Sequence, residues 1–125
     1  MMHLPSELEA MAVIPALRSM LARELLSKGA MNQTQVAALL GITQAAVSNY
    51  MTGARGKDAQ YLNDPEIRVR VSILASLLDA RPDSRTVARG LTDLTEFIRK
   101  HRLMCVIHKE VDPDLDVDTC HICDG

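Results

Sequence analysis

"NQTQVAALLGITQAAVSNYMTG", residues 32–53, is the stretch that decides the fold. The spacing of its apolar residues predicts two short helices, at 33–40 and 44–51, separated by Gly41. Glycine adopts positive φ angles at little cost, so the backbone can reverse its direction at this point. The stretch therefore predicts two helices that meet at a sharp turn.

The two sides of this predicted pair differ in chemistry. Ala37 is small, as required where two crossing helices touch, and the larger apolar residues point to a shared core. The outward side of the second helix carries short, uncharged donors and acceptors and one methyl group, the groups that read base edges in a major groove. The expected core residues are Val36, Leu40, Ile42, Val47 and Tyr50, and the expected reading residues are Gln44, Ala45, Ser48 and Asn49.

The stretch resembles the helix-turn-helix of XRE-type, or lambda-repressor-like, DNA-binding domains. The positions that carry the resemblance are Gln33, Ala37, Gly41, Val47 and Gly53. An ordinary helical hairpin with a solvated polar face is the alternative interpretation.

The resemblance implies a recognition helix that begins at Thr43, itself an expected DNA contact, and runs to Asn49. Its four outward residues, named above, would lie nearest the bases. Gln33 would hydrogen-bond a phosphate and brace this helix. In the following segment "GARGK", Arg55 and Lys57 would contact the DNA backbone.

A wider resemblance covers nearly the whole chain. "VIPALRSMLARELLSKG" followed by the helix-turn-helix and "AVSNYMTGARG" is similar to a mainly archaeal group of predicted transcriptional regulators. Members join this module to a pair of helices and end in a cysteine-rich tail. The expected fold is all-α, with a helix-turn-helix domain at 1–61, a helical hairpin at 62–103 and an irregular Cys/His tail at 104–125.

Helical periodicity extends on both sides of the central stretch. A stripe of Ile14, Leu17, Leu21 and Leu25 predicts a helix that has Pro15 in its first turn and ends before Gly29. Asp64 and Pro65 are expected to open another helix, and Asp83 or Ser84 to cap the last one. The stripes of these two helices are Ile67, Val71, Leu74 and Leu78, and Val87, Leu91, Leu94 and Ile98.

The helix after Asp64 has a second apolar face, formed by Val69, Ile73 and Leu77. A helix that is apolar on two faces is usually buried on both sides. Because one helix-turn-helix reads few base pairs, such modules usually act as dimers. We therefore expect the hairpin at 62–103 to form a homodimer, the alternative being that both helices only complete the core of one chain.

The last 22 residues, "MCVIHKEVDPDLDVDTCHICDG", hold all three cysteines. Cys105 and His108 form a C-x2-H pair, and Cys120 and Cys123 form a C-x2-C pair, which is a spacing typical of tetrahedral sites. Thiolates and imidazole suit zinc, while three cysteines can also hold an iron–sulfur cluster. The alternative is an acidic end with free thiols.

Charge and composition limit the classes of function. The tail carries six acids and one Lys, whereas residues 1–103 carry 13 basic and 10 acidic residues. The first part can therefore approach a polyanion that the tail would be repelled by. Hydrophobic residues make up 47% of the 125 residues and aromatic residues only 2%, which favours helices over strands.

The sequence also predicts a compartment and a broad class. The sequence contains no run of about 18 apolar residues, so no membrane span is expected. The first ten residues lack the pattern of a secretion signal. The odd number of cysteines argues against a disulfide framework. A cytoplasmic protein is expected. Without a phosphate-binding loop or an acid/base pair, we expect a DNA-binding regulator rather than an enzyme, with a protein-binding antitoxin or adaptor as the alternative. The sequence names no operator and no small-molecule effector.

Overall fold

A computed structural model of the chain describes residues 12–51 and 64–100. These residues form five α-helices and no strand, which confirms the predicted all-α class. The tail at 104–125 and the predicted domain boundary at 61/62 lie outside the described residues. The helices are α1 (Ile14–Ser27), α2 (Gln33–Leu40), α3 (Gln44–Met51), α4 (Pro65–Ala80) and α5 (Ser84–Lys100).

The first helix, α1, lies at the centre and packs against each of the other four. Leu17, Leu21 and Leu25 are fully buried, as the stripe predicts, but Ile14 is only partly buried. Val13 and Ala16 are fully buried as well. A helix surrounded by neighbours on several sides needs an apolar surface wider than one stripe.

The turn between α2 and α3 follows the sequence prediction closely. Gly41 has a φ of 70°, in the left-handed region that glycine favours. The Ile42 N–H donates to the Ala37 carbonyl at 3.0 Å, which closes the end of α2. Val36, Leu40, Val47 and Tyr50 are buried, while Ile42 is partly buried against them.

The predicted caps of α4 and α5 are both present. The Asp64 carboxylate accepts from the backbone N–H groups of Glu66 and Ile67, at 2.9 and 3.3 Å, and Pro65 opens the helix. The Asp83 carboxylate accepts from the N–H of Arg85 at 3.0 Å. These side chains satisfy N–H groups that a helix start otherwise leaves unpaired.

One face of α4 and one face of α5 complete the core around α1. All eight residues of the two predicted stripes are buried. The two helices approach closely at Gly90, because a Cβ there would lie 2.6 Å from both terminal methyl carbons of Leu74. The buried core is continuous from α1 to α5 among the described residues.

The second apolar face of α4 is exposed within the chain. Val69, Ile73 and Leu77 are 52%, 57% and 57% exposed, so α4 is buried on one face only.

None of the helices in 12–51 and 64–100 has both the length and the apolar character that a membrane crossing requires.

Candidate nucleic-acid interface

The outward face of α3 is the surface on which the sequence places the reading residues. Val47 and Tyr50 hold the opposite side of this eight-residue helix in the core. Gln44, Ala45 and Asn49 are exposed, and the side chain of Ser48 is partly exposed. The local fold thus presents the four residues at the surface. Rotation of α3 about its axis would expose Val47 and Tyr50, so the orientation of this face is fixed.

An arginine of α1 ties the far end of α3. Arg23 donates from Nε and Nη2 to the backbone carbonyl of Tyr50, at 3.1 and 2.7 Å. The last carbonyls of a helix have no partner within the helix, and a guanidinium there also meets the negative end of the helix dipole. Sequence reasoning missed Arg23, because its partner is a main-chain atom 27 residues away that no side-chain pattern reveals.

The beginning of α3 is fixed by Thr43. Its hydroxyl accepts from the N–H of Ala46 at 3.1 Å, so Thr43 is the N-cap of the helix. Thr43 was predicted as a DNA contact, and it is exposed. Its hydroxyl hydrogen is not used by the cap and can be donated outward.

The start of α2 is held by a capping box that sequence reasoning missed. The Asn32 side chain accepts from the N–H of Gln35 at 2.9 Å, and the Gln35 side chain accepts from the N–H of Asn32 at 2.9 Å. The Asn-x-x-Gln spacing was a readable signal for it. Gln33, the predicted phosphate contact, is the first residue of α2 and is partly exposed.

The α2–α3 pair carries no charge of its own. No charged residue occurs between Lys28 and Arg55, so the whole outward face of α3 is neutral. Neutralisation of phosphates supplies most non-specific affinity for DNA. A DNA complex would therefore need cations that flank this pair, while the pair itself offers only hydrogen bonds and methyl contacts.

Several predicted site residues lie outside the described part of the chain. These are Arg55, Lys57 and the predicted metal ligands Cys105, His108, Cys120 and Cys123. Within 12–51 and 64–100, no three His, Cys, Asp or Glu side chains come together in a way that could hold a metal ion.

Comparison with known proteins gives no family assignment. No family model, no curated protein and no solved structure matches the chain.

Proposed function

We propose that the protein is a sequence-specific DNA-binding transcriptional regulator that acts as a cytoplasmic homodimer. The observation that supports this proposal best is the arrangement of α3. It exposes Gln44, Ala45 and Asn49, buries Val47 and Tyr50, and is tied at both ends by side chains. An α-helix held in this way can enter a major groove without losing its orientation.

The proposed complex separates base reading from affinity. An amide such as that of Gln44 can make two hydrogen bonds to an adenine, and the Ala45 methyl can contact a thymine methyl. Lys28, Arg55 and Lys57 border the neutral α2–α3 pair in the sequence and would supply charge to the phosphates. Gln33, at the start of α2, would hydrogen-bond a phosphate and so position the DNA backbone.

The test begins with selection of bound duplexes from a random DNA pool. The selected site is then used to compare wild type with Gln44→Ala in a titration followed by fluorescence anisotropy. A lost bidentate contact should reduce the preference for the selected site over random DNA by about tenfold or more, since such a contact contributes roughly 1–3 kcal/mol. Affinity for random DNA should change little.

Thr92→Ala is the matched control. Thr92 is an exposed polar residue of α5 whose hydroxyl donates to the Ala88 carbonyl of its own helix, at 2.8 Å. Circular dichroism checks that both variants remain folded. Equal preference in wild type and Gln44→Ala, or no sequence selected from the pool, would contradict the proposal.

For the tail, we propose a metal site formed by Cys105, His108, Cys120 and Cys123. The donor set of three thiolates and one imidazole suits zinc and also suits an iron–sulfur cluster. Anaerobically purified protein with one zinc and no visible absorption indicates a structural clamp, whereas brown protein indicates a cluster suited to redox or iron sensing. Protein with neither metal refutes the site.

The exposed face of α4 favours one other candidate function. Val69, Ile73 and Leu77 could bind another protein, as an antitoxin or adaptor would require. Co-purification of a different polypeptide in fixed ratio, lost on substitution of Ile73, would favour this second function over the first.

A further inference from the structure

Three aliphatic side chains of α4 form one exposed stripe, Val69–Ile73–Leu77. Each is more than half exposed, although the same helix buries its other apolar face in the core. The stripe borders a groove of about 250 Å³ between α4 and α5, which is lined by Leu74, Gly90 and Leu94 together with the charged Arg70 and Asp93. In soluble proteins a contiguous exposed apolar patch of this kind often serves as an interaction site.

The stripe has a symmetric layout along the helix. Its members are four residues apart, so Val69 and Leu77 lie at equal distances on either side of Ile73. At 100° per residue, Glu66 and Ala80 fall on the same face, seven residues before and after Ile73. Both are exposed, with an acid before the stripe and a methyl group after it, directly before the exposed Arg81.

We propose that the stripe packs antiparallel against the same stripe of a second copy, on a two-fold axis that passes beside Ile73. An interface of this kind uses one patch on both partners, so the patch must be self-complementary. Antiparallel packing sets Val69 against Leu77 of the second copy and Ile73 against its own counterpart. At each of the two outer positions, a larger leucine side chain therefore packs against a smaller valine side chain.

Charge favours the same arrangement. Antiparallel packing brings Glu66 near Arg81 of the second copy, and symmetry repeats the pair at the other end. Parallel packing would instead set Glu66 beside Glu66. Within one chain Glu66 also pairs with Arg70, at 3.1 Å, and both side chains are about half exposed, so the carboxylate remains accessible.

The size of the stripe limits the strength of the contact. Three half-exposed aliphatic side chains offer a few hundred Å² per copy, well below the roughly 800 Å² of a standard stable interface. The free protein is therefore in a concentration-dependent equilibrium between one and two copies. On two-fold DNA, two bound copies have a high effective concentration, so the contact forms there as cooperative binding. This last step rests on the proposed function.

Sedimentation equilibrium of the full chain without DNA tests the contact by itself. The expected result is self-association that rises with concentration and includes about half of the chains or more by about 1 mM. Ile73→Glu should weaken the association about tenfold or more, because it brings two carboxylates together on the two-fold axis and replaces the central apolar contact. Ala88→Glu, an equally drastic change at an exposed position of α5, should leave it unaltered.

Charge reversal tests the direction of packing. Glu66→Arg and Arg81→Glu should each weaken self-association, and the double variant should recover it, since the opposite charges again meet across the axis. A double variant that is as weak as the two single changes combined would overturn the antiparallel arrangement. Wild-type protein that stays monomeric throughout, or Ile73→Glu that associates like wild type, would overturn the contact.

DNA with one or two copies of the selected half-site separates this inference from the proposed function. Wild type should bind the two-site DNA cooperatively, while Ile73→Glu should bind one half-site normally and two without cooperativity. Cooperative binding by Ile73→Glu overturns the inference and leaves the function standing. Self-association that Ile73→Glu abolishes, in a protein that selects no DNA sequence, supports the contact and rejects the function.

Discussion

The outward faces of α3 and α4 are both exposed, but they differ in chemistry. The α3 face carries amides and a hydroxyl, which water solvates well, and one small methyl group. The α4 face carries Val69, Ile73 and Leu77, whose exposure to water costs free energy. The aliphatic face therefore indicates a binding partner by its exposure alone. The polar face indicates one only because it lies on a short helix that follows a tight turn and is held in the core on its opposite side.

The difference decides what kind of experiment each face needs. Substitutions on either face should leave the fold intact, because neither contributes to the core. A lost function after such a substitution can then be assigned to binding. The following predictions separate what the exposed faces do from what holds them in place, beginning with the largest effect.

The two faces of α4 should respond very differently to the same change. Ile67 is fully buried and Ile73 is 57% exposed, six residues apart on one helix. Ile67→Ala should lower the free energy of unfolding by about 2–5 kcal/mol, because it removes buried methyl groups and leaves a cavity. Ile73→Ala should change it by less than about 0.5 kcal/mol. Urea denaturation at low protein concentration measures both, and similar values would mean that the stripe is part of the core.

Removing the hydrogen bonds from Arg23 of α1 to the end of α3 should lower the free energy of unfolding. Arg23→Ala deletes two hydrogen bonds to the Tyr50 carbonyl, and we expect a loss of about 1–2 kcal/mol in the free energy of unfolding. Arg23→Lys should recover only part of this loss, since an ammonium lacks the planar fork. Urea denaturation compares them with Arg89→Ala, an exposed arginine of α5. A loss no greater than that of the control would show that the tie does not stabilise the fold.

Removing the N-caps of α4 and α3 should give the smallest losses in the free energy of unfolding. Asp64→Ala removes an acceptor for two N–H groups of α4, so we expect a loss of about 1 kcal/mol. Thr43→Ala removes an acceptor for one N–H group of α3, with an expected loss of about 0.5 kcal/mol. If Thr43 also contacts DNA, its substitution should weaken binding in a titration under conditions where both variants are fully folded. Unchanged DNA affinity would restrict Thr43 to capping.

Local signals in the sequence were sufficient for the helices themselves. The stripes, the glycine at position 41 and the caps at Asp64 and Asp83 all act within a few residues of chain, so their spacing predicts where helices begin and end. The capping box of Asn32 and Gln35 was equally local and could have been found. The exposure of Gln44 and Asn49 followed from the burial of Val47 and Tyr50 on the opposite side.

Tertiary structure decided what depends on residues far apart in the chain. Helical periodicity shows that α1 and α4 each have an apolar face, but not that α1 packs against all four other helices. Nor does it show that Arg23 reaches the Tyr50 carbonyl, or which of the two apolar faces of α4 remains exposed. Burial depends on which surfaces fit together in space, and periodicity along one helix holds no information about its neighbours.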